Sequence, residues 1–265
     1  MRTLARRLGT TLAAFGVLLV IYAGMVVFWR DPVTSIYTAY EQHAMSGQLN
    51  QTFDSWQADA KRELGVSLDT TGSGTGTGTH GGATVRPALN SAVVLRSARR
   101  LALKFAASEK GHDGRPLGRI RIKRIGVSTI IVEGTDYWGS LSKGPGRYEQ
   151  GSFPGLGRTT GIAGHRTTFA APFRNIDSVH VGDSIVVEMP YGTFTYRVLR
   201  HKIVDNGDWS IMKKVGFDEL VLSACHPLYS AEQRYVLFAQ LANVKLAGES
   251  RGVNLPLPAA AADAA

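Results

Sequence analysis

The sequence predicts an all-β fold, a barrel or sandwich of short strands with little helix among them, preceded by a membrane-spanning N-terminal helix and a helical stalk. Three observations carry that prediction. From Arg119 onward the chain breaks into short β-branched and aromatic runs punctuated by glycine: RIRIKRI, STIIVEG, TTGIAGH, DSIVVEM, TFTYRVLRHKIV, ELVLSAC and RYVLFAQLANV. Several alternate with period two, as half-buried strands do. Helical periodicity is instead confined to the segment before residue 116, and a run without charge lies near the N-terminus.

Taken in order, Arg2, Arg6 and Arg7 precede an uncharged stretch from Leu8 to Trp29 that ends at Arg30-Asp31. These 22 positions (8 through 29) match the length of a bilayer-crossing helix. The arginines on its N-terminal side predict a cytoplasmic N-terminus and an extracytoplasmic remainder. A cleaved signal peptide is the competing reading. The apolar core is long for one, and VVFWRDP is no small-residue cleavage site. Residues 1–30 are therefore expected to form a cytoplasmic tip and signal anchor, with the lipid bilayer as partner of residues 8–29.

Ile36, Tyr40, Ala44, Leu49, Phe53, Trp56, Ala60 and Leu64 recur at mostly helical spacing. This helix could stand as a stalk, self-associate or lie against the following domain. Asp69 to Thr84 is a Gly/Thr tract that reads as a flexible linker. Asn90 to Ala107 is again helical, with Val94, Ala98, Leu101 and Phe105 on one side and Arg96, Arg99, Arg100 and Lys104 around the rest. Such a helix either docks on its own domain or rests on a membrane. Residues 31–115 are thus expected as stalk and linker, 116–245 as the β domain, and 246–265 as a disordered tail. Within the β domain, Pro190 to Gly192 (PYG) reads as a tight hairpin turn.

The formal charge of +9 and a pI near 9.8 suit an anionic surface. The basic residues are scattered, however, and no zinc spacing, helix-turn-helix pattern or aromatic-basic signature points to nucleic acid. No metal-ligand cluster is visible, so no cofactor is expected. One cysteine, Cys225, rules out an intramolecular disulfide.

Cys225 ends one strand-like run and Arg234 begins the next, with HPLYSAEQ between them. If the two strands pair, both side chains reach one end of the domain. Nucleophilic attack by cysteine needs a thiolate, a proton-transferring neighbour and a donor for the developing oxyanion. Arg234, permanently charged and forked, suits the last role; taken alone it reads equally as a surface ion-pair residue. Of seven histidines, His43, His80 and His112 fall in stalk or linker, and His180 and His201 in ordinary strand-loop settings. His226 adjoins the cysteine, but neighbours on an extended chain point to opposite faces. His165, in TTGIAGHRTTF, follows a glycine at a strand end, where β scaffolds carry functional groups.

PLGRIRIKRIGVSTIIVEGTD, LSKGPGRYEQGSFPGLGRTTGIAGHRTTFAAPFRNID and ELVLSACHPLYSAEQRYVLFAQL, in this order behind an anchor, resemble the sortases. They are most similar to the class E sortases of actinobacteria. The intervals from His165 to Cys225 (225 − 165 = 60) and from Cys225 to Arg234 (234 − 225 = 9) fit as well. The resemblance spans about Pro116 to Val244. It implies a closed β-barrel of about eight strands and a transpeptidase that cuts a sorting motif between Thr and Gly. The acyl group then passes, through a thioacyl-enzyme, to an amine of the cell-wall precursor. By matching positions Cys225 is the nucleophile, His165 the acid and base, and Arg234 the substrate clamp and oxyanion donor. Tyr148 stands where class E enzymes carry a tyrosine linked to an Ala-containing Leu-Ala-x-Thr-Gly motif. The family usually reads Thr-Leu-x-Thr-Cys where this chain has Val221-Leu222-Ser223-Ala224-Cys225. Ala224 lacks the hydroxyl before the cysteine, so Ser223 becomes a candidate substitute. The resemblance also leaves room for a pilin-polymerising sortase, an envelope cysteine hydrolase, or a non-enzymatic envelope-binding barrel in which Ala224 marks lost function.

Overall fold

The computed structural model describes residues 2–28, 31–71 and 90–257. Three helices come first: α1 (Arg2–Phe28), α2 (Pro32–Thr71) and α3 (Ser91–Glu109). Nine strands follow: β1 (Pro116–Ile122), β2 (Val127–Glu133), β3 (Gly146–Arg147), β4 (Thr159–Ala163), β5 (Ser184–Met189), β6 (Gly192–Asp205), β7 (Glu219–His226), β8 (Gln233–Leu246) and β9 (Val253–Asn254). Their order is β6-β5-β1-β2-β3-β4-β7-β8-β9, and β8 also pairs with β6. That second pairing closes eight strands into a barrel.

The long strand β8 makes closure possible. It pairs antiparallel with β6 along its whole length, from Gly192↔Leu246 to Asp205↔Gln233. On its other side the first half takes β7 and the second half takes β9. The chain expected to be featureless from 246 therefore continues through a turn and β9; residues 258–265 lie outside the described ones, as do 72–89, which contain most of the Gly/Thr tract. The Pro190-Tyr191 step does form the two-residue turn between β5 and β6.

Inside the barrel, alternate residues of the strands meet: Ile120, Ile122, Ile162, Ile185, Phe194, Leu220, Leu222 and Leu237 are fully buried. β7 is buried on both faces, because Val221 on the other side packs with Val204, Ile211, Val236 and Phe238. This is why its sequence reads as a continuous apolar run, as strands covered on both faces do.

The predicted apolar side of α3 docks on this core through Val94, Ala98, Leu101 and Phe105, and the Asn90 side chain caps it by accepting from the Ala92 N–H at 2.9 Å. α2 is not a free-standing stalk. Met45 and Leu49 pack on Ile130 and Val132, while Trp56 meets Phe105 edge-on with centroids 5.3 Å apart. Nearer its start, Thr38 donates to the Ser142 carbonyl at 2.8 Å. Gln42 bonds Ile130 in both directions, accepting from its N–H at 2.7 Å and donating to its carbonyl at 3.1 Å. α2 thus lies along the barrel wall. α1 holds the single described helix long and apolar enough to cross a membrane, from Arg6 to Val26.

Candidate active site

One open cleft, of about 550 Å³, lies at the end of the barrel where β4, β7 and β8 meet. His165, Cys225 and Arg234 all line it, together with Tyr148, Ser223 and Ala224. Every residue singled out from the sequence is therefore at one place.

Register explains the convergence. Cys225 and Arg234 are directly opposed partners across the β7–β8 pair. β4 runs parallel to β7 with a constant offset of 60, from Thr159↔Glu219 to Ala163↔Ser223, and the Gly164 N–H extends the ladder to the Ser223 carbonyl at 3.0 Å. Continuing that offset sets His165 level with Cys225 on neighbouring strands, which stand about 4.8 Å apart. Gly164 is required for this turn: a Cβ there would lie 2.4 Å from the Phe173 ring.

Strand alternation sorts the residues before the cysteine. Ala224 joins the barrel core with Leu220 and Leu222. Ser223 shares the face of Cys225, and its hydroxyl lies 2.8 Å from the Tyr148 hydroxyl. The hydroxyl missing at Ala224 is thus not replaced in place. A Tyr148–Ser223 pair stands in the cleft on the neighbouring position instead. Tyr148 also meets Trp209 edge-on, with centroids 5.7 Å apart, and its carbonyl accepts from Arg147 at 3.0 Å. Arg147 is itself buried and bidentate to Glu133. Burial pushes the Glu133 carboxyl up, and this guanidinium opposes the shift.

Arg234 donates to the carbonyls of Ala231 and Gln233 at 3.0 and 2.9 Å. Among the described residues it makes no ion pair, so the surface-pair alternative has no partner here. His226 does not line the cleft. Its ring tilts against Tyr235, and its Nδ1 lies 3.4 Å from Arg166.

His165 sits in an aromatic setting. Tyr137 stands edge-on to it at 5.4 Å and Phe169 tilts against it at 5.1 Å. Burial pushes its imidazole down to about 4, and among the described residues its buried Nε2 has no hydrogen-bond partner. The segment after it is unusual: Phe169, Ala170 and Ala171 have φ of 51°, 59° and 42°. Left-handed backbone costs about 1–2 kcal/mol at each such residue, so neighbours must impose it. Phe169 is buried, and its N–H donates to the Thr34 hydroxyl of α2 at 2.8 Å. Phe173 N–H closes the loop on the His165 carbonyl at 3.0 Å.

Arg166 escapes a reading from sequence. It is almost fully buried, donates to the carbonyls of Arg174 and Cys225 at 3.2 and 3.4 Å, and pairs with Asp177 at 2.7 Å. The adjacent histidine was the only signal that could have drawn attention to it. No group of three or more metal-ligating side chains is assembled among the described residues.

The sequence profile of the sortase domain matches residues 120–242. Sortase D of Bacillus subtilis (strain 168) is 34% identical over 141 residues, which cover 52% of this chain and 69% of that protein. The chain belongs to the sortase family. As a sortase it is a cysteine transpeptidase, and its closed barrel is the fold expected. Among solved structures, sortase E1 from Streptomyces coelicolor has a TM-score of 0.49 at 23% identity, covering 52% of this chain and 94% of that one. Sortase C from Streptococcus pneumoniae gives 0.49 at 22%, covering 63% and 93%.

Proposed function

We propose that this sortase is a single-pass membrane enzyme, anchored by residues 8–29 with its barrel outside the cytoplasm. It cleaves a Leu-Ala-x-Thr-Gly or Leu-Pro-x-Thr-Gly-like motif of secreted proteins between Thr and Gly and joins them to a peptidoglycan amine, in a class E-like housekeeping role. The observation that carries this reading is the meeting of Cys225, His165 and Arg234 at one rim of one cleft.

In this mechanism the Cys225 thiolate attacks the threonine carbonyl carbon. Arg234 donates to the oxyanion, the C–N bond breaks, and the His165 imidazolium gives its proton to the departing glycine amine. The incoming amine attacks the thioester, His165 takes its proton, and the C–S bond breaks to restore the thiolate. A histidine near pKa 4 is neutral in all but roughly one molecule in a thousand at pH 7. The thiolate–imidazolium pair is a minor species, so turnover is slow and its pH profile bell-shaped. Equal rates at pH 5, 7 and 9 would sink that assignment. The Tyr148–Ser223 hydroxyl pair, which lines the cleft beside the nucleophile, supports the Ala-containing motif.

The test uses the full-length chain in detergent, since α2 is bonded to the barrel. It is incubated with a Leu-Ala-x-Thr-Gly peptide and either glycine or diaminopimelate amine. Ligated product that vanishes in Cys225→Ala supports the reading. Cleavage without ligation indicates a hydrolase, and preference for a lysine side chain as acceptor indicates pilin polymerisation.

A further inference from the structure

The first turns of α2 are inside out. An amphipathic helix on a soluble domain turns its apolar stripe to the core, as α3 does. Here Thr34, Thr38 and Gln42 face inward and make the hydrogen bonds to the barrel loops. Val33, Ile36, Tyr37 and Tyr40, at helical spacing, face outward with exposures of 63, 72, 42 and 70%. Between Asp31 and Asp54 the only fully charged side chain is Glu41.

The stripe continues onto the barrel. Phe169 bridges Tyr37, at 6.4 Å between centroids, to Trp138 at 5.8 Å and Tyr137 at 5.5 Å. Trp138 is 71% and Tyr137 47% exposed. Exposed apolar patches of this kind mark a partner surface. The patch is also tied to the end of the apolar helix: the Tyr22 hydroxyl donates to Asp31, the cap of α2, at 3.1 Å, and the Tyr229 hydroxyl lies 3.5 Å from the Val26 carbonyl. Tyrosine and tryptophan, apolar in body and polar at the tip, are the residues that settle at the headgroup level of a bilayer.

We propose that this patch is a second membrane contact, with the α2 stripe and the Tyr137-Trp138 turn seated in the outer-leaflet interface. It rests on the reading of α1 as a membrane anchor. Tyr137 and Tyr229 also line the catalytic cleft, so the contact holds the cleft mouth against the bilayer surface. A substrate or acceptor carried by the membrane then reaches Cys225 from the lipid plane, and the barrel does not swing freely on a tether.

The experiment uses the full-length chain in a Cys225→Ser background, reconstituted into phosphatidylglycerol–phosphatidylcholine vesicles. Single cysteines are placed by Ile36→Cys, Tyr40→Cys, Leu18→Cys in α1 and Leu103→Cys on the outer face of α3. Each carries an environment-sensitive fluorophore and is quenched in turn by bromine on the lipid acyl chains and by iodide in water on both sides. We expect labels at 36 and 40 to be quenched by brominated lipid at least twofold more than the label at 103, and by iodide at least twofold less. If 36 and 40 match 103 while 18 is quenched by lipid, the chain is anchored and the second contact is wrong. If 18 is not quenched by lipid, the anchor reading fails first. If 36 and 40 are shielded from both quenchers and differently labelled chains show energy transfer, a second copy covers the stripe and the proposal is overturned.

Discussion

Cys225 and Arg234 are set by a single hairpin, whereas His165 is set by three segments far apart in the chain. The first pair needs only the β7–β8 register. The histidine needs the π turn Tyr137–Leu141 to supply Tyr137, the left-handed Phe169–Ala171 segment to supply Phe169, and Thr34 of α2 to hold that segment. Local pairing makes the nucleophile's side of the cleft robust. Long-range packing makes the histidine's side adjustable, so its failure modes should differ. Changes on the hairpin should cost chemistry without cost in stability, and changes around His165 should cost both.

The largest effect expected on the hairpin side is that of Arg234→Ala. Loss of one oxyanion donor costs about 10²- to 10³-fold in kcat, and among the described residues the side chain's hydrogen bonds go only to the nearby carbonyls of Ala231 and Gln233. Steady-state ligation rates should fall by that factor while the melting temperature stays put. A melting temperature lowered along with the rate would erase the contrast between the two sides.

On the histidine side the counterpart is a pH effect on stability. Folding lowers the His165 pKa from 6.5 to about 4 by burial. Between those values the unfolded chain binds the proton and the folded chain does not, so stability is lost as pH falls from 6.5 toward 4. At 1.36 kcal/mol per pKa unit the loss is on the order of 2–3 kcal/mol. Asp218 works the other way, its burial raising it to about 6, so its stability contribution is lost as pH rises through that value. Urea unfolding of wild type and His165→Asn at pH 7 and 5 isolates the histidine, because Asp218 cancels in the difference. Wild type should lose more stability than the variant. Parallel losses would mean that His165 is not insulated by Tyr137 and Phe169.

The same division governs what could be read from sequence. Cys225, Arg234 and their pairing follow from two strand-like runs around a short loop, and His165 from a strand end. The apolar side of α3 and the Pro190-Tyr191 turn follow from local periodicity and turn residues. α2 was legible as a helix but not in its placement, because its first inward residues are Thr34, Thr38 and Gln42, which no hydrophobic pattern selects. Strands β3 and β9 have two residues each, too few for any period. Nothing in the sequence singles out Arg166 or Arg147, because burial with a carboxylate partner leaves no mark on composition. The strained Phe169–Ala171 run contains no glycine to announce it.

Gly164→Ala tests the middle of the histidine side. The added methyl would meet the Phe173 ring at 2.4 Å, and neither the strand nor a fully buried ring has room to yield. Overpacking of this kind costs about 1–3 kcal/mol. Because Phe173 also closes the loop on the His165 carbonyl, ligation should drop together with the melting temperature. An unchanged melting temperature would show that the loop is free to move, contrary to the packing around it.

Thr34→Val should be the gentlest break and the most discriminating. Valine keeps the shape of threonine and removes the hydroxyl that accepts from the Phe169 N–H and donates to Asp31 at 2.9 Å. An orphaned donor costs about 1–3 kcal/mol when buried and less where water can enter; this site is only partly buried. The left-handed run loses its outside support, so the Phe169 ring should relax away from His165 before the barrel weakens. The expected signature is a kcat changed by no more than about tenfold, the equivalent of 1.4 kcal/mol, with KM nearly unchanged, because a displaced imidazole slows proton transfer while its easier protonation enlarges the active fraction. His165 should titrate closer to its ordinary range as its cover loosens, shifting the acid limb of the rate profile upward in pH. A purely structural role for Thr34 would lower the melting temperature and leave that limb where it was. In that case α2 supports the barrel but not the histidine.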